Sequence, residues 1–263
     1  LPELPDVEVF RRYLNRTSLH KTITDLTVLD AGVLRNVSGK RLRHHLKGAS
    51  LESTQRRGKH MLARANNGRW ITFHFGMTGY LEYFKPPHGE RRHDRVVIGF
   101  LNGFHLAYVC PRKFGRIGLV KEPAHFFASL SLGPDALKLD PDTFRDLLRS
   151  RRGKIKPALM DQSLLAGIGN IYSDEMLFQA GIHPDSPVSE LTDGDLAKLF
   201  GKMVKILETA IDRKADPDRM PRTWLLPHRK EGAPCPRCGG TVERTKISGR
   251  SAYFCTACLN DAA

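Results

Sequence analysis

Four cysteines near the C-terminus offer the clearest chemistry in the chain. Cys235 and Cys238 are two residues apart, as are Cys255 and Cys258, with sixteen residues between the pairs. Each C-x-x-C turn presents two thiolates on one side of a tight knuckle, and two knuckles close a tetrahedron with no position left for substrate. One structural Zn2+ is therefore expected. Between the pairs, Thr241 to Ile247 and Ser251 to Phe254 read as two strands joined through Ser248-Gly249-Arg250. From Arg229 to Arg250, six basic side chains (Arg229, Lys230, Arg237, Arg244, Lys246, Arg250) stand against two acidic ones (Glu231, Glu243). Such a ribbon either meets phosphates or carries a solvated basic face. Upstream, Gly167-Ile168-Gly169-Asn170 lies between two helical runs; its glycines permit close backbone approach, and Asn170 is placed to cap the next helix, where free amides suit a phosphate.

The elements that must position these residues follow from periodicity. Pro5-Asp6 opens a helix with Val7, Phe10 and Leu14 on one face. From Ile23 to about Val120 the signals are mostly β, broken by hairpin turns at Asn66-Asn67-Gly68 and Asn102-Gly103. After the first turn, Ile71, Phe73 and Phe75 alternate with Trp70, Thr72 and His74, which predicts His74 facing away from the apolar side. Helices are expected at Asp142 to Arg151, Ile155 to Leu165 and Ile171 to Ala180, with a longer one capped by Thr192. Asp212 to Lys230, rich in proline and basic residues, reads as an irregular or mobile loop. The division expected is an N-terminal β-sandwich domain over 1–122, a linker over 123–139, a helical domain over 140–228 and a zinc ribbon over 229–263, an α+β multidomain architecture.

Lysine plus arginine number 42 against 28 acidic residues, a net charge of +14 in 263 residues. This suits a polyanion, nucleic acid first and an acidic membrane second. No apolar run is long enough for a transmembrane helix and the start lacks a signal-peptide layout, so a cytoplasmic, nucleoid-associated protein is expected. The paired cysteines then argue for metal over disulfides. The fifth, Cys110, reads as a small buried strand residue.

Taken in order, these residues resemble the formamidopyrimidine-DNA glycosylase and endonuclease VIII family over nearly the whole chain. Pro2-Glu3-Leu4-Pro5-Asp6-Val7-Glu8 is similar to its N-terminus, and Arg56-Arg57-Gly58-Lys59 to its lysine hairpin. His74-Phe75-Gly76-Met77-Thr78-Gly79 resembles its intercalation loop, and Pro111-Arg112-Lys113-Phe114-Gly115 its second wedge. Leu159-Met160-Asp161-Gln162 through Gly169-Asn170-Ile171-Tyr172 resembles its helix-two-turn-helix, and the tail its zinc finger.

The resemblance implies a catalytic set of Pro2, Glu3 and Lys59. Pro2 would attack C1′ of the damaged nucleotide through its secondary amine, Glu3 would act as general acid/base, and Lys59 would serve the sugar and its flanking phosphate. It implies DNA contacts at His74, Met77, His93, Arg112, Phe114, Asn170 and Arg250, with Met77, Arg112 and Phe114 filling the hole left by a flipped base. The metal ligands would be Cys235, Cys238, Cys255 and Cys258. The activity implied is removal of oxidised bases from duplex DNA, purines such as 8-oxoguanine and formamidopyrimidines, followed by β,δ-elimination, in a monomer that needs no membrane. Alternatives are the oxidised-pyrimidine branch of the family, a catalytically silent damaged-DNA-binding protein and, more remotely, a zinc-ribbon RNA-binding protein.

Some positions depart from the family's pattern. Leu1 stands ahead of Pro2, and an acylated proline nitrogen cannot attack; Leu1 is read as a non-standard start codon translated literally, with the initiating methionine removed before the small proline. Asp6 replaces a common glutamate, Cys110 an aspartate and Leu259 a glutamine. Asp212 to Pro227 lacks the glycine-lysine-proline-glycine signature of the lesion-capping loop, which leaves the choice between purine and pyrimidine lesions open.

Overall fold

The computed structural model describes residues 2–87 and 91–260, so Leu1 and its reading lie outside the described residues. The chain divides into two compact units, one holding Pro2 and Asp6–Leu130, the other Glu3–Pro5 and the residues from Ser131 onward.

Helix α1 (Leu4–Ser18) opens as its sequence dictates, with Pro5 in the first turn, Asp6 near the positive end and Val7 and Leu14 fully buried. The first unit then builds two sheets. One contains β1 (Ile23–Val28), β6 (Tyr80–Phe84), β7 (Asp94–Phe100) and β8 (His105–Val109) in the order β1-β7-β8-β6. The other contains β2 (Leu34–Arg35), β3 (Leu51–Arg57), β4 (His60–Ala65), β5 (Trp70–His74) and β9 (Arg116–Val120) in the order β2-β9-β5-β4-β3, antiparallel except for β2 with β9. Ile71, Phe73 and Ile117 of the second sheet and Leu26, Leu81, Val96 and Tyr108 of the first enclose a void of only about 10 Å³, so the sandwich is closely packed. Both expected hairpin turns form: Gly68 and Gly103 have φ of 79° and 80°, a region that costs a side chain energy.

Helix α2 (Gly39–Leu46) interrupts the region expected to be mostly β; Ser38 caps it, and Leu42 and Leu46, four apart, bury its inner face. The segment expected as a linker contains helix α3 (Pro123–Ser129), started by Pro123 and packed through Phe127, and the boundary between units falls at Leu130 and Ser131.

The second unit carries α4 (Pro141–Arg149), α5 (Ile155–Met160), α6 (Asn170–Ala180) and α7 (Asp193–Asp212), then β10 (Glu243–Ile247), β11 (Arg250–Phe254) and α8 (Thr256–Asn260). Thr192 caps α7 as expected, in a reciprocal box with Asp195. Leu196, Leu199, Met203, Ile206 and Ala210 give α7 one buried stripe. Helix α6 is buried on nearly all sides, its charged Asp174 and Glu175 included, and ends at Gly181 with φ 73°. The ribbon shares a small core with the helices through Phe178, Leu225 and Val242.

The segment expected to be irregular or mobile is short-range structure with a packed interior. Two 3-10 turns (Pro217–Arg219, Leu226–His228) flank Met220, Trp224 and Leu225, all buried. Leu226 N–H donates to Glu175 Oε2 at 2.7 Å, and Arg213 donates to the Arg219 carbonyl at 2.5 Å. Apolar side chains spaced irregularly through a proline-rich stretch gave no period to read, yet they bury enough surface to fix it.

Candidate active site and nucleic-acid interface

In the first unit, Lys59 sits in the two-residue turn joining β3 to β4, where Gly58 takes φ 55°. The turn is braced from below: Arg56 Nη1 donates to the Gly58 carbonyl at 3.1 Å, while Arg56 Nε reaches Glu8 Oε2 at 3.2 Å. Burial would lift the Glu8 carboxyl, but Arg11, Arg56 and Arg12 around it outweigh that and hold it below the usual carboxylate range. Lys59 is therefore mounted on a hairpin tied to α1.

The two expected wedge loops meet through a glycine. A Cβ on Gly76 would lie 2.5 Å from Gly115 N and Phe114 C, and φ there is 60°, so only glycine lets the loop carrying Met77 close on the loop carrying Phe114. Phe114 is 52 % exposed, an unusual state for a large apolar side chain, and the Arg112 guanidinium lies 5.3 Å from its ring centroid. Met77 is partly buried. Cys110 is fully buried behind this loop, and its Sγ accepts from Gly115 N–H at 3.4 Å. His93 is exposed, and its carbonyl accepts from Cys110 N–H at 3.0 Å.

His74 differs from its expected surroundings. Both faces of β5 are covered, since Trp70 and Thr72 are buried along with Ile71 and Phe73. His74 itself stays partly accessible and packs against His60 of β4, directly opposite in register, with ring centroids 4.8 Å apart.

In the second unit, the start of α6 is capped by Glu3, not by Asn170. Glu3 Oε2 accepts from Gly169 N–H at 2.7 Å and Tyr172 N–H at 3.4 Å, and Oε1 accepts from Ile171 N–H at 2.8 Å. Gly169 allows this approach: a Cβ there would lie 2.5 Å from Glu3 Oε1. A carboxylate at the positive end of a helix is well complemented. Asn170, relieved of the capping role, is the first residue of α6, and its Oδ1 is buried without a hydrogen-bond partner among the described residues.

Arg250 opens β11 opposite Ile247, in a tight turn with Ser248 and Gly249 at φ 47° and 78°. It borders an open groove of about 430 Å³ lined also by Lys156, Met160, Asp161 and Gln162. Lys156, Asp174 and Arg229 form a charge network that sequence reasoning missed. Lys156 Nζ donates to Asp174 Oδ1 at 2.5 Å and to the Ser251 carbonyl at 2.7 Å; Arg229 Nε donates to Asp174 Oδ2 at 2.8 Å and Nη2 to the Asn170 carbonyl at 3.4 Å. Burial draws the Lys156 ammonium down and lifts the Asp174 carboxyl, while their pairing opposes both shifts. The network thus fixes the residue next to Arg250 and the carbonyl of Asn170. Its one signal in the sequence is a lysine inside the apolar run Ile155 to Met160.

The four cysteines converge as their spacing predicts, with all Sγ atoms within 4.8 Å of one another, Cys235 to Cys258 at 3.5 Å and Cys238 to Cys255 at 3.6 Å. A tetrahedral zinc with Zn–S of ~2.3 Å requires sulfurs ~3.8 Å apart, so the donor set fits that ion, and these separations are far too long for disulfides.

Known proteins match this arrangement throughout. Models of the formamidopyrimidine-DNA glycosylase N-terminal domain, of the formamidopyrimidine-DNA glycosylase H2TH domain and of a zinc finger found in FPG and IleRS match residues 1–117, 130–220 and 232–260. Formamidopyrimidine-DNA glycosylase of Exiguobacterium sp. is 35% identical, covering 98% of this chain and 99% of the relative. That of Pelotomaculum thermopropionicum is 32% identical with the same coverage. Among solved structures, Lactococcus lactis Fpg in complex with DNA containing an abasic site superposes with a TM-score of 0.88 at 28% identity, covering 97% of this chain and 98% of that one. The wild-type Lactococcus lactis Fpg in complex with DNA containing an N7-benzyl-Fapy-dG matches with TM-score 0.88 at 29% identity, over 98% and 99%. From its N-terminal sheets to its ribbon, the chain belongs to the formamidopyrimidine-DNA glycosylase family.

Proposed function

We propose that the protein is a DNA glycosylase and abasic-site lyase of base excision repair that acts on oxidised purines in duplex DNA. The observation that carries this reading is Glu3: a carboxylate held by backbone amides at the start of α6, one peptide bond from Pro2. A secondary amine with a pKa of ~8 keeps a useful neutral fraction near neutral pH. Its lone pair forms a bond to C1′ as the bond from C1′ to the base breaks and the electrons leave with the base. Opening of the sugar gives an iminium, which makes the C2′ protons acidic; loss of one of them expels the 3′ phosphate, and loss of the C4′ proton, acidified through the conjugated iminium, expels the 5′ phosphate. Glu3, fixed by these amides, accepts the proton that the attacking amine releases and passes it to the sugar oxygen.

The remaining proposed roles follow from placement. Lys59, on its braced hairpin, serves the sugar and adjacent phosphate. Met77, Arg112 and Phe114 fill the vacated stack, and the 52 % exposure of Phe114 supports this. His74, His93, Asn170 and Arg250 contact the backbone. Zinc at Cys235, Cys238, Cys255 and Cys258 maintains the ribbon that carries Arg250. The sandwich over 1–122 is read as the catalytic domain, 140–228 and 229–263 as DNA-binding parts, in a monomer working on cytoplasmic, nucleoid DNA; among the described residues, no helix is long and apolar enough to cross a membrane.

The test is cleavage of duplexes that each carry one defined lesion. Release of 8-oxoguanine or formamidopyrimidine with loss of the sugar supports the reading. Preference for oxidised pyrimidines moves the protein to the other branch of substrates, and tight binding without base release on any duplex refutes an enzymatic role.

A further inference from the structure

The surroundings of His74 fix more than its position. Its Nδ1 accepts a hydrogen bond from the backbone N–H of Gly76 at 3.3 Å. A backbone amide can only donate, so Nδ1 must keep its lone pair, and the single ring proton of His74 resides on Nε2. Protonating the ring would set two N–H groups against each other in a place where Gly76 cannot retreat, because its backbone is already closed on Phe114 and Gly115. The His74 carbonyl is tied as well, accepting from the buried Tyr108 hydroxyl at 2.7 Å.

The groups packed around the ring all disfavour a charge on it. His60 of β4 packs against it with centroids 4.8 Å apart and rings tilted by 35°, and is itself covered by Phe126 of α3, whose ring centroid is 5.8 Å away in an edge-on arrangement. Lys59, in the β3–β4 turn, and Arg116 of β9 both act on His74, and both are cations. Burial, with His74 and Lys59 nearby, pushes His60 down to about 3, and burial, Lys59 and Arg116 move His74 in the same direction.

We propose that His74 holds the DNA backbone as a neutral Nε2–H donor, and that His60 is the positioning residue that keeps it neutral. This rests on the reading of His74 as a DNA contact. A histidine that meets a phosphate is ordinarily expected as imidazolium, contributing one charge and taking up a proton on binding. Here the charge neutralisation falls to lysine and arginine, and His74 supplies direction: a donor with one orientation and one tautomer, unaffected by pH near neutrality. A neutral His74 also adds no second cation beside Lys59, whose charge already acts on the ring.

The experiment uses the full-length, zinc-loaded protein and a duplex containing a stable abasic-site analogue. In 15N-histidine-labelled protein, long-range nitrogen–proton spectra, with the His74 signals assigned by their loss in His74→Gln, should show protonated Nε2 and bare Nδ1 from pH 5.5 to 8, free and DNA-bound. An imidazolium forming in that range in either state overturns the proposal. Binding measured against salt gives an independent readout. His74→Ala should weaken binding roughly tenfold or more and leave the slope of log K against log salt unchanged, whereas losing a cationic contact lowers that slope by about 0.9. His74→Gln, which retains a neutral donor, should recover most of the loss. If His74→Ala binds as the parent does, the reading of His74 as a contact fails; if it weakens binding and also lowers the slope, the contact is real but cationic and the proposal fails. For His60, removal of the covering ring in His60→Ala should let His74 titrate, and His60→Phe should silence it again. A His74 that stays silent in His60→Ala overturns the positioning role.

Discussion

Replacing Asp174 with Asn puts the buried charge network to its severest test. The Asp174 side chain is fully buried, with Lys156 Nζ at 2.5 Å on one oxygen and Arg229 at 2.8 Å on the other. An amide of the same shape leaves the 1 % exposed Lys156 ammonium without its counter-charge. Removing one partner of such a pair costs about 3–5 kcal/mol. The lysine has one escape, which is to lose its proton; from its ordinary value of 10.5 that costs at most about 4 kcal/mol at pH 7.5. Asp174→Asn should therefore destabilise the second unit by about 3–4 kcal/mol. Lys156→Met should cost less, about 1–2 kcal/mol, because Asp174 keeps Arg229. The double variant should be less damaged than the sum of the two. Of the two tryptophans, Trp224 lies in the second unit and Trp70 in the first, so urea unfolding followed by Trp224 fluorescence in a Trp70→Phe background reports the unit concerned. An Asp174→Asn variant within 1 kcal/mol of its parent, or one more stable than Lys156→Met, would refute the reasoning.

Other consequences can be measured separately. Burial lifts the Glu175 carboxyl to about 7, against the opposing hydrogen bonds of Gln179 and the Leu226 and Leu225 amides. A raised acid contributes stability that is complete below the unfolded value of 4.5 and is lost as pH rises through about 7, a change of up to roughly 3 kcal/mol; Glu175→Gln should flatten this dependence, and an unchanged profile would contradict it. Phe114→Ala removes a half-exposed ring, so folding stability should change by less than ~1 kcal/mol while base release from a lesion duplex falls at least ~10-fold, as an unfilled stack costs a few kcal/mol; equal losses in both would place Phe114 in the core. Chelating zinc should abolish amide-exchange protection in β10 and β11 and loosen Leu225, which shares their small core, while β5 and β9 stay protected. Protection of the ribbon surviving chelation would show that the metal does not hold it.

Much of this was legible where a signal is local. The cysteine spacing fixes a tetrahedron with no help from the rest of the chain, the Asn-Gly turns demand positive φ, and Thr192 with Asp195 is a self-contained cap. Features held by distant partners were not. Glu3 caps a helix that begins more than 160 residues later in sequence, so Asn170 looked like the cap when the actual one was out of reach of any window. Helix α2 carries just two buried leucines among basic residues and is stabilised by packing on the sandwich. Met220, Trp224 and Leu225 give a proline-rich stretch a fixed form through tertiary burial. The face that His74 presents is likewise set by coverage on both sides of β5, which alternation along one strand does not encode.

The central claim is that Pro2, beside the amide-held Glu3, carries the chemistry. Borohydride added during reaction with a duplex containing an abasic site reduces an iminium to a stable amine, and proteolysis with mass spectrometry locates it. With the nitrogen of Pro2 free, the account predicts one covalent adduct, on Pro2, and none when that nitrogen is acylated. Failure to trap any adduct, or an adduct mapped to Lys59 or elsewhere that persists with the N-terminus blocked, would contradict it.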